Sequence, residues 1–227
     1  IASLCDTAAE LGAENRPRPM FLTNGGSWGL RRRGEKLTRL VEALYMRMGL
    51  YNTMSLIRGD APIFGSGFAR IYRQGNEIQC ERVFPDEIRV DDSECKYGQP
   101  RNLYRVREVA KSVLFSLFRK HEAAIKTSGV LTRIGEVLTS KTAGNLCTAV
   151  ESWHLPSGSP LEEESEDGGR VAKTDGRYVL AVDGVTLMDE PYRYDYFPFL
   201  KLDWTTPKIG WWGRGIAERQ TAKQLEI

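Results

Sequence analysis

With 227 residues, 41% of them hydrophobic and 27% charged, the chain is long enough to bury a sizeable core and too apolar for wholesale disorder. It has no apolar run of the roughly 18 residues that would cross a membrane, and its net charge of +2 is too small for a broad basic grip on nucleic acid. Four scattered cysteines, Cys5, Cys80, Cys95 and Cys147, form no CxxC pair and read as small buried hydrophobes of a reduced chain.

Residues 1–15 read as a short helix with Leu4, Ala8 and Leu11 on one face. Arg16-Pro17-Arg18-Pro19 must be extended, because each proline pushes its predecessor out of the helical region. Asn24-Gly25-Gly26-Ser27 is a turn, with Ser27 as N-cap of a helix from Trp28 to Met48. Leu30, Leu37, Leu40, Val41, Leu44, Tyr45 and Met48 form its apolar stripe, interrupted at Arg33-Gly34. A third helix is expected over Leu50–Ala61, carrying Leu50, Met54, Ile57 and Ala61 at helical spacing.

The period then changes from helical to alternating. After Gly65-Ser66-Gly67, residues 68–73 and 78–84 alternate around the turn Gln74-Gly75-Asn76, which predicts a hairpin. The return strand breaks at Phe84-Pro85 and resumes over Glu87–Val90. It then enters the acidic cluster Asp91, Asp92 and Glu94, and turns through Tyr97-Gly98-Gln99-Pro100. Valines, leucines and alanines from Val106 to Phe118 recur three and four apart, which predicts an amphipathic helix over Val106–Lys126. Leu146–Leu155 is a strand, and Leu161–Gly169, with five acids, is a solvated loop. Arg177–Val182 and Val185–Met188 flank Asp183-Gly184, a hairpin signal. Phe197–Trp204 is a further strand, and Gly210–Gly215 (GWWGRG) precedes a last helix.

The expected organisation is α+β, with helices packed on antiparallel hairpins. It divides into a helical part (1–64), a β-arm and bridge (65–105), an amphipathic helix and linker (106–145), an antiparallel β part (146–209) and the start of a helix (210–227). The chain begins on Ile1 and stops inside a helical pattern, so a fragment of a longer protein is expected.

Chemistry finds little support. His121 and His154 sit in different elements, and no G-x-S-x-G nucleophile elbow occurs. The cluster Asp91, Asp92 and Glu94 lacks the alternating ligands and central glycine of a calcium loop, so a solvated strand end is the better reading. Gly135–Thr142 matches a phosphate loop except for Ser140 in place of the second glycine, with Asp183 as a possible magnesium ligand. The missing glycine and the Ala143-Gly144-Asn145 that follows weigh against a nucleotide-binding enzyme, which stands as the alternative. Gly213-Arg214-Gly215 lacks the third glycine of a dinucleotide fingerprint. Arg31-Arg32-Arg33 is the densest basic spot. It suits a solvated helix face, or contact with phosphates or an acidic neighbouring subunit.

Several segments occur together in one order. Asn15–Pro19 precedes a glycine-tryptophan turn and a basic helix, and Gly59–Gly67 (GDAPIFGSG) leads into a β-arm. Glu81–Asp91 runs on to Gly98–Arg101. Glu151–Pro156 precedes an acidic loop, and Phe197-Pro198-Phe199 leads to Gly210–Gly215. In this order they resemble the front half of a tailed-bacteriophage portal protein, the head-to-tail connector. The resemblance implies a wing-like fragment of a ring-forming homo-oligomer, usually a dodecamer, at one vertex of the capsid of the virion, assembled in the host cytoplasm. Double-stranded DNA would pass through it without sequence-specific contacts. Its partners would be the terminase large subunit, the major capsid or scaffold protein and head-completion proteins. It implies no catalytic residue, metal, cofactor or membrane contact. Arg31, Arg32 and Arg33 on one side, and Asp91, Asp92 and Glu94 on the other, are candidate contacts between neighbouring subunits.

Overall fold

A computed structural model describes residues 2–13, 16–131, 137–138, 145–157, 161–164, 170–173 and 175–225. In chain order the elements are α1 (Ala2–Ala13), α2 (Trp28–Arg47), α3 (Leu50–Phe64), β1 (Ser66–Gln74), β2 (Glu77–Val83), β3 (Ile88–Val90) and β4 (Asn102–Ala110). Then come α4 (Lys111–Leu117), α5 (Glu122–Thr127), β5 (Val130–Leu131), β6 (Val137–Leu138), β7 (Leu146–His154), β8 (Leu161–Glu164) and β9 (Arg170–Lys173). The last four are β10 (Arg177–Val182), β11 (Val185–Pro191), β12 (Phe199–Asp203) and α6 (Ile216–Leu225). The fold is α+β with antiparallel pairing throughout the described strands. The chain divides into two compact units.

The first unit comprises Ile1–Pro85, Pro198–Lys208 and Trp212–Ile227. Its sheet has the order β12-β1-β2, so β1 is central and the late strand β12 completes it. Helix α3 packs on β1, and α1 and α6 pack on α3. Ile57, Ala61, Phe68, Ala69 and Val83 are buried here. A bidentate pair ties α3 to β2: Arg82 donates through Nε to Asp60 Oδ2 at 2.7 Å and through Nη2 to Oδ1. That pair raises the Arg82 pKa, and the guanidinium also lies 4.2 Å from the Phe84 ring centroid.

Helix α2 is set differently. It runs through Arg33-Gly34 without a break, and Gly34 is its one buried residue. The reason is the extended segment that crosses it. A Cβ at Gly34 would stand 3.1 Å from the Phe21 carbonyl oxygen, and the Phe21 N–H donates to Thr38 Oγ1. Ser27 occupies the N-cap position without a side-chain cap bond; its carbonyl accepts from Leu30 and Arg31 instead. Of the expected stripe, Leu30, Leu37 and Leu40 are exposed, whereas Val41, Leu44, Tyr45 and Met48 are half-buried.

The second unit comprises Asp86–Phe197 and Ile209–Trp211. Its sheet has the order β11-β10-β7-β4-β3, a meander with one insertion after β4 and another after β7. Helices α4 and α5 cover one end of a face, where Leu114 and Ile125 meet Cys147, Ala149 and Val182. Asp183 and Gly184 both take left-handed angles, φ 46° and 77°, and form the two-residue turn between β10 and β11.

Three expectations change here. The helix expected over Val106–Lys126 is absent as such: Asn102–Ala110 is strand β4, and only Lys111–Leu117 and Glu122–Thr127 are helical, joined by a single 3-10 turn. Nine consecutive pairs with β7, from Asn102↔His154 to Ala110↔Leu146, outweigh the local helical spacing. The acidic loop also begins as a strand, because Leu161–Glu164 pairs with β9, while Glu166 and Asp167 lie outside the described residues. The phosphate-loop match falls largely outside them too; its described part, Val137-Leu138, is a strand paired with β5.

Candidate functional site

The basic candidates stand together across the first two turns of α2, and all three are exposed. The Arg32 guanidinium lies 5.3 Å from the Trp28 ring centroid, a cation–π contact that holds one arginine over the helix start. The same helix exposes Trp28, Leu30, Leu37, Leu40 and Met46, with Trp28 at 74% and Met46 at 77%. Leu30, Leu37 and Leu44 recur every seven residues, and Leu40 lies beside them. A basic collar on a leucine-bearing face is what the sequence places here.

The acidic candidates belong to the second unit, between β3 and β4. Asp91 accepts from the Ser93 N–H at 2.8 Å and from the Ser93 hydroxyl. Those bonds, the hydroxyl first and then the backbone, hold its carboxyl below the usual carboxylate range. Glu94 accepts from the backbone N–H groups of Arg101 and Asn102 at 3.2 Å each and from Asn102 Nδ2 at 2.7 Å. Asn102 in turn faces His154, with Oδ1 and Nδ1 2.6 Å apart. Glu94 therefore staples the bend to the start of β4, while Asp92 is exposed. Among the described residues no group of three or more His, Cys, Asp and Glu side chains could hold a metal.

Two features escape sequence reasoning. The first is a buried charge belt across the covered face of the second sheet. Arg105, 4% exposed, donates through Nε to Glu87 at 2.8 Å and lies 3.7 Å from Glu151, which is 3% exposed. Arg107 lies 3.8 Å from the same Glu151 oxygen, and the Tyr178 hydroxyl donates to its other oxygen at 3.0 Å. Register explains the cluster: Arg105 is directly opposite Glu151, which is directly opposite Leu180. The two arginines and two glutamates balance in charge, and Arg105 and Glu151 meet at one register position of β4 and β7.

The second feature is a glycine junction in the first unit. A Cβ on Gly65 would come within 2.1 Å of the Gly213 carbonyl oxygen, and one on Gly213 within 2.3 Å of the Gly65 carbonyl oxygen. Gly213 N–H donates to Ser66 Oγ at 2.8 Å, and that hydroxyl donates to Asp203 Oδ1 at 2.6 Å. Lys201 pairs with the other Asp203 oxygen at 2.9 Å. Phe68 and Trp212 meet edge to face at 5.7 Å. The glycines of GSG and of WGRG thus serve close backbone approach.

Asp183, the alternative magnesium ligand, occupies the tip of a hairpin. No helix among the described residues is long and apolar enough to cross a membrane. The four cysteines are free thiols, and burial pushes the half-buried Cys80 thiol up in pKa. The sequence matches no protein-family model, and comparison with curated proteins gives no significant match.

Proposed function

We propose that this chain is the wing portion of a portal protein, a structural protomer that closes into a ring through which double-stranded DNA is packaged and ejected. The observation that carries the reading is the ordered set of motifs from Arg16–Pro19 to Gly210–Gly215. Two physical features support it. Helix α2 leaves Leu30, Leu37 and Leu40 exposed, apolar surface of the kind that a partner covers. The net charge of +2 also suits a conduit, because every phosphate neutralised would add salt-dependent affinity and retard the passing strand.

On this reading α2 is covered by a neighbouring protomer, its arginines facing acidic groups of that neighbour. The terminase large subunit, capsid or scaffold protein and head-completion proteins are the other partners, and the chain performs no catalysis itself. The test is assembly of the full-length protein, followed by light scattering and negative-stain microscopy. Rings are expected. The double substitution Leu37→Glu and Leu40→Glu, at exposed positions, should leave the protomer folded and shift it to monomers. A wild-type protein that stays monomeric at every concentration and salt condition overturns the proposal.

A further inference from the structure

A groove in the first unit runs beside the C-terminal part of α2, away from Leu30, Leu37 and Leu40. Its wall is the extended segment Arg16–Pro19, held in place where the Tyr51 hydroxyl donates to the Pro17 carbonyl at 3.1 Å. Arg16 lies 5.9 Å from the Tyr51 ring centroid, and Tyr51 meets Tyr45 edge to face at 6.3 Å. Two adjoining clefts open beside this wall, of about 430 Å³ and about 420 Å³. Both share Arg16, Arg18, Tyr45, Tyr51 and Asn52. The first has an apolar floor that includes Met54, Ile71 and Leu200.

Arg16, Arg18 and Arg58 line the first cleft, and among the described residues no acid does. Arg58 is committed to the Gly12 carbonyl. Arg16 and Arg18 are exposed and take part in no ion pair among the described residues. One carboxylate, Glu42, lines the second cleft. Two guanidinium groups above an apolar floor select a ligand that offers a carboxylate beside an apolar side chain. Two clefts that share five lining residues suit a chain of several residues better than a single small molecule. Glu42 in the second cleft opposes a continuous phosphate backbone.

We propose that this groove binds an acidic peptide segment of a partner protein, its carboxylates on Arg16 and Arg18 and a neighbouring apolar side chain over Met54, Ile71 and Leu200. The site lies within one protomer and does not depend on the ring reading.

The probe is a labelled acidic peptide, acetyl-Ala-Asp-Leu-Glu-Phe-amide, titrated into the whole chain and followed by fluorescence anisotropy at low salt. Its comparison is the same peptide with Asn and Gln for the acids. The acidic peptide should bind at least about tenfold tighter, a difference of about 1.4 kcal/mol. The double variant Arg16→Gln and Arg18→Gln should erase that difference. Asn52→Asp, a new charge at an exposed lining position, should weaken the acidic peptide alone by a similar factor. Equal affinity for both peptides, or a difference that survives the arginine substitutions, overturns the proposal. So does 1-naphthoate binding as tightly as the peptide, which would make this a small-anion site. Displacement of the peptide by a short single-stranded oligonucleotide at equal concentration would assign the groove to nucleic acid and likewise overturn it.

Discussion

Arg105 and Glu151 hold the second sheet in register at the cost of two desolvated charges, and the fold tolerates this because each has further partners. Glu87 takes Arg105 Nε, while Arg107 and Tyr178 approach Glu151. Removing one charge is therefore worse than replacing the set with apolar groups of equal volume. Glu151→Gln should destabilise the protein by about 3 kcal/mol, the low end for a broken buried pair because Glu87 still neutralises Arg105. Tyr178→Phe, which deletes one hydrogen bond, should cost about 1 kcal/mol. Urea denaturation midpoints compare the two. A Glu151→Gln variant as stable as the parent would show that the belt contributes nothing.

Elements in the first unit meet through backbone, and glycine decides where. The Gly65–Gly213 approach is so close that each Cβ would meet the other segment's carbonyl. Gly213→Ala should thus destabilise by upwards of about 3 kcal/mol, more than ordinary overpacking, because backbone cannot rotate out of the way as a side chain can. Gly184→Ala, at a left-handed position with open space around it, should cost only about 1 kcal/mol. Thermal melts of the two variants separate crowding from conformational strain.

The same elements show what the sequence makes legible. The three N-terminal helices, the hairpin at Gly75 and the hairpin at Asp183-Gly184 follow from local period and turn chemistry, and all are present. Strand β4 defeats that logic because its covered face reads Leu103, Arg105, Arg107, Val109. With two arginines inward, the alternation looks polar, and the valines happen to fall at helical intervals. Only the partner strand, with Glu151 opposite Arg105, makes the pattern intelligible, and that partner lies more than a helix-length away in sequence. The glycine junction was invisible for the same reason: GSG and WGRG look like turns until their backbones are set face to face. The acids Asp91 and Glu94 were legible as a strand end. Glu94's grip on the start of β4 was not, because it depends on where Asn102 returns.

At the scale of the whole chain, the second unit is an insertion into the first. The chain leaves after β2, at Pro85, and re-enters at Pro198, just before β12. Both strands flank β1: Phe68 is paired with Val83 on one side and Lys201 on the other. On the ribosome, β1 therefore emerges with an open edge and waits for more than a hundred residues before β12 can close it. The second unit, nearly continuous in sequence, is free to fold in that interval, so the later segment matures before the earlier one. A chain ended at Phe197 should reveal this order in hydrogen exchange. Amides of β7 and β10 should stay protected, whereas those of Ser66–Arg70 that face β12 should exchange freely. Equal protection in both would mean that β1 needs no completion. During synthesis that open edge is a template for another nascent copy of the same strand, and polysomes making this protein would bring such copies close together.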